Sequence, residues 1–342
     1  MSAVPASPTL PALLPPSSSR VPGLLLAAAL AAIAMALGQA LPLLGGAVLG
    51  IVLGMAVGHV FPPAPRYAPG IAFAGKQVLQ GSIILLGFGL NLGQVLHTGL
   101  ESLTVTLVTV GVAFASAWLL GRWLRVPAKL GLLIGAGTAI CGGSAIAAVT
   151  PIIKPDEHDT AYAMSTIFLF NVAAVLLFPP LGHWLGLSDA GFGLWAGTAI
   201  NDTSSVVAAG YHYSAAAGDH ATIVKLARAT LIVPICLLFA AWQAWTRRDA
   251  SGFRIGQVFP WFILGFLLAS ALRSTGAVPA QALPLLQGAA AFMIVTAMTA
   301  IGLSANLRRM AASGPRPLLL GLGTWVCVAV ASLAVQALSG QL

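Results

Sequence analysis

Three ionisable residues lie where a hydrocarbon-embedded chain has the least reason to keep them. Asp202 is the only carboxylate deep inside an apolar stretch, since Glu101, Asp156, Glu157, Asp159, Asp189, Asp219 and Asp249 all fall at or near the ends of such stretches. A charged group at that depth is costly and marks a functional site by default; the competing role is a salt bridge that merely locks a helix bundle. Lys225 and Arg228, three residues apart, share one face of a helix. A helix starting near Ala217 carries them about 12–17 Å along its axis, close to the middle of an apolar core about 30 Å thick. Snorkelling to the interface suits a cation near a helix end and is strained for Arg228, about three turns in. Two cations against one carboxylate leave an excess of positive charge. With the hydroxyls of Thr203, Ser204 and Ser205 this composition suits a small oxyanion.

The same carboxylate belongs to a repeated phrase. "AGTAI" occurs at 136–140 and again at 196–200, continuing as "CGGSAIAAV" in the first copy and "NDTSSVVAAG" in the second. At a constant offset of 60, Ser144 meets Ser204, Ile146 meets Val206 and Ala148 meets Ala208, so the likeness outlasts a chance pentamer. A weaker echo pairs "GLNL" at 89–92 with "GLSANL" at 302–307. Interrupted helices in inverted repeats, with substrate between them near the midplane, are a common plan among secondary transporters. Cys141, Gly142, Gly143 and Ser144 are the first interruption, Asn201, Asp202 and Thr203–Ser205 the second. Gly142-Gly143 permits unusual dihedrals and frees N–H groups at a half-helix N-terminus that favours an anion; close helix packing is the alternative role for these glycines.

The elements that must position these residues are helices in a membrane. Of 342 residues 58% are hydrophobic and only 7% charged, with a mean hydropathy of +0.94. That is far below the ~25% charge of ordinary soluble domains. Apolar stretches of spanning length recur near 22–41, 43–61, 71–92, 97–121, 126–152, 157–184, 189–213, 218–246, 258–276, 281–306 and 315–339. The fold class expected is an all-α polytopic membrane protein with about eleven apolar membrane segments, the two AGTAI segments interrupted or re-entrant. Residues 1–20, opening with an uncharged Pro- and Ser-rich run, form a disordered tail, and 21–342 form the transmembrane domain.

The net charge of +8 is explained by topology and not by nucleic acid: with a cytoplasmic N-terminus, Arg66/Lys76, Arg122/Arg125/Lys129, Arg247/Arg248/Arg254 and Arg308/Arg309/Arg316 all fall inside. Hairpins at both AGTAI segments also put Lys154 inside and the loops near Leu187 and Gly218 outside. Cys141, Cys236 and Cys327 have neither disulfide nor metal spacing and are read as small core residues. Asn91, Asn171 and Asn306 are intramembrane amides, with Asn171 assigned to helix packing. Most of the eight tryptophans sit near segment ends, as an interfacial belt does.

The motifs "GAGTAICGGSAIAAVTPIIK", "GTAINDTSSVVAAG", "IVKLARATLIVP", "FPWFILGF" and "AIGLSANLRRMAASGPRPLLLG" resemble the YeiH-type family of bacterial inner-membrane proteins, labelled sulfate exporters, over residues 22–342. The resemblance implies kinship with the cation/proton antiporter and anion transporter superfamily, inverted repeats and interrupted helices. Asp202, Lys225 and Arg228 match its pattern. Asn201 departs from it, standing where many members have His, so a proton relay through an imidazole is not implied here.

The function expected is secondary transport of a small anion such as sulfate across the inner membrane, coupled to H+ or Na+, with Asn201 and Asp202 as the coupling residues. The alternative is a cation/proton antiporter built on the same two residues. An intramembrane enzyme fits poorly: an aspartyl site needs two carboxylates, "HExxH" is absent, and no "GxxxxGK[ST]" supports an ATPase. A purely structural membrane protein leaves the buried charges unexplained. No cofactor is implied; the partners implied are the anion, H+ or Na+, the lipid bilayer and a second copy of the chain.

Overall fold

The computed structural model describes residues 19–40, 45–247, 260–305 and 314–342, and every regular element among them is helical. The N-terminal tail expected at 1–20 falls almost wholly outside the described residues, as do Asn306, Arg308 and Arg309. Among the described residues seven helices are long and apolar enough to cross a membrane: Val21–Ala40, Pro65–Gly87, Leu103–Trp123, His158–Trp184, Ala215–Trp242, Ala280–Ser304 and Pro315–Ser339. Shorter apolar helices lie between them, including Gly46–Val60, Ala128–Ala139, Gly143–Ile153 and Trp261–Ser274. A polytopic, all-helical membrane protein is therefore what this sequence folds into.

In chain order the α-helices are α1 (Val21–Ala40), α2 (Gly45–Val60), α3 (Ala68–Phe73), α4 (Leu79–Gly87), α5 (Leu92–Glu101), α6 (Leu103–Trp123), α7 (Ala128–Ala139), α8 (Gly143–Ile153), α9 (Glu157–Trp184), α10 (Asp189–Ala199), α11 (Thr203–Tyr213), α12 (Ala215–Thr230), α13 (Ile232–Arg247), α14 (Trp261–Ser274), α15 (Leu283–Ser304) and α16 (Pro315–Ser339). A π-helical turn at Ala74–Val78 joins α3 to α4, so the apolar run expected from 71 is helical from Pro65 onward. The helix expected near Ala217 begins at Ala215, where the Ser214 hydroxyl accepts from the Ala217 N–H at 2.9 Å, and a turn at Leu231 separates α12 from α13.

Both AGTAI segments double back. In the first, Lys129 near the start of α7 donates to the carbonyl of Lys154 at the end of α8, at 2.6 Å. In the second, Ser214 after α11 donates to Asp189 at the start of α10 at 2.6 Å, and Tyr213 donates to Leu187 O at 2.5 Å. The rings of Phe192 and Tyr213 stack there with centroids 3.9 Å apart. Each segment is thus a helical hairpin with its ends together and its break at the tip.

Helix α9, 28 residues and about 42 Å at 1.5 Å per residue, runs between the two hairpin bases and orders their parts. Going along it, Gly143 faces Met164, Gly142 faces Ile167, the side chain of Asn171 accepts from the Asp202 N–H at 3.2 Å, and Gly182 faces Phe192 and Tyr213. The hairpins therefore enter the bundle from opposite ends and meet tip to tip. Their close fit rests on glycines at equivalent places in the two copies: a Cβ on Gly137 would lie 2.9 Å from Ile167 Cγ1, and one on Gly197 2.6 Å from Val224 Cγ1.

Helices α6, α9, α12, α13 and α16 pack around the hairpins, while α1 to α4, α14 and α15 form the facing group. Trp118, Trp123, Trp184 and Trp245 are exposed at helix ends, in keeping with an interfacial belt. Cys141 and Cys236 are buried, but Cys327 is exposed on α16, so only two of the three cysteines are core residues.

Candidate functional site

Breaking two helices at one place frees two sets of C-terminal carbonyls and two sets of N-terminal N–H groups. In a water-poor interior both must find partners. The carbonyls find them on α12. Lys225 Nζ donates to Ile140 O at 2.9 Å and to Ile200 O at 2.8 Å, one carbonyl from each tip. Arg228 Nε donates to Ala139 O at 2.7 Å, and its two terminal nitrogens to Thr138 O and Thr198 O. Both side chains are fully buried. The two cations thus staple the negative ends of α7 and α10 together, which satisfies the carbonyls and offsets both helix dipoles.

The sequence places Lys225 and Arg228 as ligands of an anion, and here their donors are on main-chain carbonyls. Lys225 and Arg228 make no ion pair with Asp202; among the described residues the ion pair present is His97–Glu101, at 3.1 Å. Nor do they line the cavity described below, because their donors are turned to main-chain oxygens.

The N-terminal ends are treated unequally. Asp202 caps α11: its carboxylate accepts from the Ser204 N–H at 3.0 Å and also from the Ser204 hydroxyl. No side chain caps α8, whose N-cap is Gly142 at φ 67°, ψ −128°. That conformation is open to glycine and hardly to any residue with a Cβ. A Cβ there would also lie 3.3 Å from Cβ of Asp202, so the two tips are in contact.

Both N-termini open on one cavity of about 400 Å3, lined by Gly143, Ser144 and Ala147 of the first hairpin and by Asp202, Thr203, Ser204 and Ser205 of the second. Asn171 and Met164 of α9, Lys76 of the π-helical turn, Gln80 and Ile83 of α4, Ile51, Phe262 and Ile301 complete the wall. Of the site residues expected from sequence, Gly143, Ser144, Asp202 and Thr203–Ser205 are brought together at this cavity. Cys141, Gly142 and Asn201 lie behind it within the tips. Asn201 is buried with neither amide atom hydrogen-bonded. Lys76, Gln80 and Asn171 were missed as lining residues; Lys76 and Gln80 show as polar residues four apart, and hence on one helical face, in an otherwise apolar run.

The comparisons with known proteins place the chain among bacterial membrane proteins. The family model described as "Conserved hypothetical protein 698" matches residues 22–321. A UPF0324 membrane protein of Streptococcus pyogenes serotype M18 is 43% identical, covering 93% of this chain and 96% of the relative. One from Streptococcus agalactiae serotype V is 39% identical (94% and 98%), and one from Fusobacterium nucleatum 37% identical (94% and 99%). The chain belongs to this family of bacterial membrane proteins. It is the YeiH-type family to which the AGTAI motifs and the Lys225/Arg228 segment pointed. The printed names of the UPF0324 relatives say that they are membrane proteins and assign no cargo.

Proposed function

We propose that this UPF0324 family member is a secondary transporter of a small anion, coupled to H+ or Na+, and not an enzyme. It works in the bacterial inner membrane with its N-terminus in the cytoplasm. Its eleven apolar segments form an inverted-repeat architecture akin to the cation/proton antiporter and anion transporter superfamily. The observation that carries the reading is the convergence of two half-helix N-termini, α8 at Gly143–Ser144 and α11 at Thr203–Ser205, on one cavity. N–H groups and the positive ends of two helices favour an anion at that point. The first of these ends has no side-chain cap, so an anion seated against Gly143 and Ser144 completes it. Lys76 adds positive charge to the wall. Lys225 and Arg228 act from behind: by binding the carbonyl ends of α7 and α10 they offset the negative dipole ends that would repel an anion at the same junction. Asp202 is the coupling group, because protonation or cation binding there changes the charge of the cavity that receives the anion. Sulfate is the first cargo to test, on the family resemblance.

One observation favours a second reading. The carboxylate of Asp202 and the amide of Asn171 line the cavity while Lys225 and Arg228 do not, an arrangement that a cation/proton antiporter would also use. Flux separates the two. In proteoliposomes under imposed pH and Na+ gradients, labelled sulfate is expected to move in the native protein. Asp202→Asn should keep sulfate binding and lose the dependence of flux on either gradient. If no sulfate, sulfite or related anion moves, while added Na+ dissipates a pH gradient in an Asp202-dependent way, the cation reading replaces the first.

A further inference from the structure

A second cavity, of about 470 Å3, lies beyond the hairpin tips toward the base of the second hairpin. It and the tip cavity share four helices. On α2 the walls are Ala47 in the second cavity and Ile51 in the first; on α4, Leu86 and Ile83; on α15, Ile294 and Ile301; on α11, Tyr211 and Ser205. Along α2 and α4 the two cavities are three or four residues apart, about 5–6 Å of helix. On α15, Met298 continues the face of Ile294 and Ile301; on α11, Ala208 stands between Ser205 and Tyr211. Ile51, Ile83, Met298 and Ala208 are at most 1% exposed.

We infer that the 470 Å3 cavity is the opposite mouth of the translocation path, closed from Asp202 by a single apolar septum of Ile51, Ile83, Met298 and Ala208. The inference rests on the transport reading and adds where the path runs and what shuts it. An ion cannot shed its water into an apolar layer without a cost of many kcal/mol, so one layer of side chains suffices as a gate. Because the layer is about one turn deep, a small displacement of α11 and the hairpin tips against α2, α4 and α15 would open it. The two mouths also differ chemically. The tip cavity holds Asp202 and Lys76 beside two helix N-termini; the second has Asp219, which accepts from the Tyr211 hydroxyl at 2.5 Å, together with His212 and Gln287, and no Lys or Arg among the described residues of its wall.

Sided cysteine labelling tests the septum without relying on flux. In a background with Cys141, Cys236 and Cys327 replaced by Ala, Gln287→Cys and Ala291→Cys report the second cavity, and Gln80→Cys and Ala147→Cys the first. A charged, membrane-impermeant thiosulfonate is applied to right-side-out and to inside-out vesicles. The expected result is that the first pair reacts from one face only and the second pair from the other only. Ile83→Cys is expected to react only from the face that labels Gln80→Cys, and to become reactive from the opposite face when Met298→Ala, or separately Ile51→Ala, is added. Labelling of both pairs from one face overturns the inference. So does reaction of the second-cavity pair with membrane-permeant reagents alone, which makes that cavity a lipid crevice, or an Ile83→Cys pattern unmoved by either septum variant in protein that remains monodisperse. Sided labelling with no flux of any ion removes the transport reading and leaves the two-mouthed geometry; flux with a silent second cavity removes this inference alone.

Discussion

Arg228 shows how much a buried cation can do through main-chain oxygens alone. Its three nitrogens bind carbonyls from both hairpins, and Lys225 adds one more from each. Deleting one partner from a buried, charged hydrogen-bonded set costs about 3–5 kcal/mol, because the groups left behind stay desolvated. Arg228→Met should therefore lower the thermal stability of the detergent-solubilised protein severely. Arg228→Lys should recover part of the loss, since an ammonium lacks the planar fork that reaches three carbonyls at once. Melting followed by intrinsic fluorescence checks the order. If Arg228→Met melts like the native protein and has lost only its affinity for an anion, Arg228 is a ligand contact and the staple is wrong. The depth of these cations was legible from their place along α12. Their partners were not, because carbonyls freed by a break in another helix leave no trace in side-chain identity. Asn171 does bond across elements, as an intramembrane amide is expected to, but that its partner is the N–H of a broken helix could not be read from a lone amide in an apolar stretch.

At the scale of elements, the tip contact explains why one copy of the repeat carries glycines and the other a carboxylate. A Cβ on Gly142 would lie 3.3 Å from that of Asp202, a tight approach at a backbone that already favours glycine, and the residue that keeps its side chain caps its own helix. The backbone of Gly142 has positive φ, whereas Asp202 sits in the extended region at φ −99°, ψ 145°, suited to an N-cap. Gly142→Ala should thus cost about 1–3 kcal/mol in strain and push the tips apart, with loss of flux. Gly143→Ala meets only the end of Met164, 3.1 Å away, which can turn aside. Melting curves of the two variants decide it: Gly143→Ala should melt near the native temperature and Gly142→Ala below it, and the reverse order would mean that the tips do not meet as described. The breaks in the two AGTAI segments were readable because glycine and polar residues interrupt apolar runs at matching places. The turn at Leu231 was not, since it interrupts a helix inside an apolar run, and the π-helical turn before α4 was not, since the polar Lys76 and Gln77 within it suit an ordinary helical turn equally well.

For the whole molecule, the hairpins fix which helix ends share a side. The base of the first hairpin, with Lys129 and Lys154, lies at the start of α9, and Arg122 and Arg125 lie just before that hairpin; the base of the second lies at the other end of α9, with Asp189 and the Ser214 cap. Following the helices from these two anchors brings Arg20, Arg66 and Arg316 to the first end and Glu101 and Asp219 to the second, with Arg273 the exception. Cytoplasmic loops retain an excess of Lys and Arg, which supports the proposed orientation with the first end inside. In that orientation the chain starts inside, and α16 delivers its C-terminus outside. Cysteines introduced at Leu187 and Gly218 should react with an impermeant reagent added outside intact cells, and one at Lys154 only after the cytoplasmic face is exposed. Position 187 is the decisive one. Outside access there requires the second AGTAI segment to return to the side it entered from, whereas cytoplasmic access would mean that one AGTAI segment crosses fully, and the two tips could then not meet across the staple of Lys225 and Arg228.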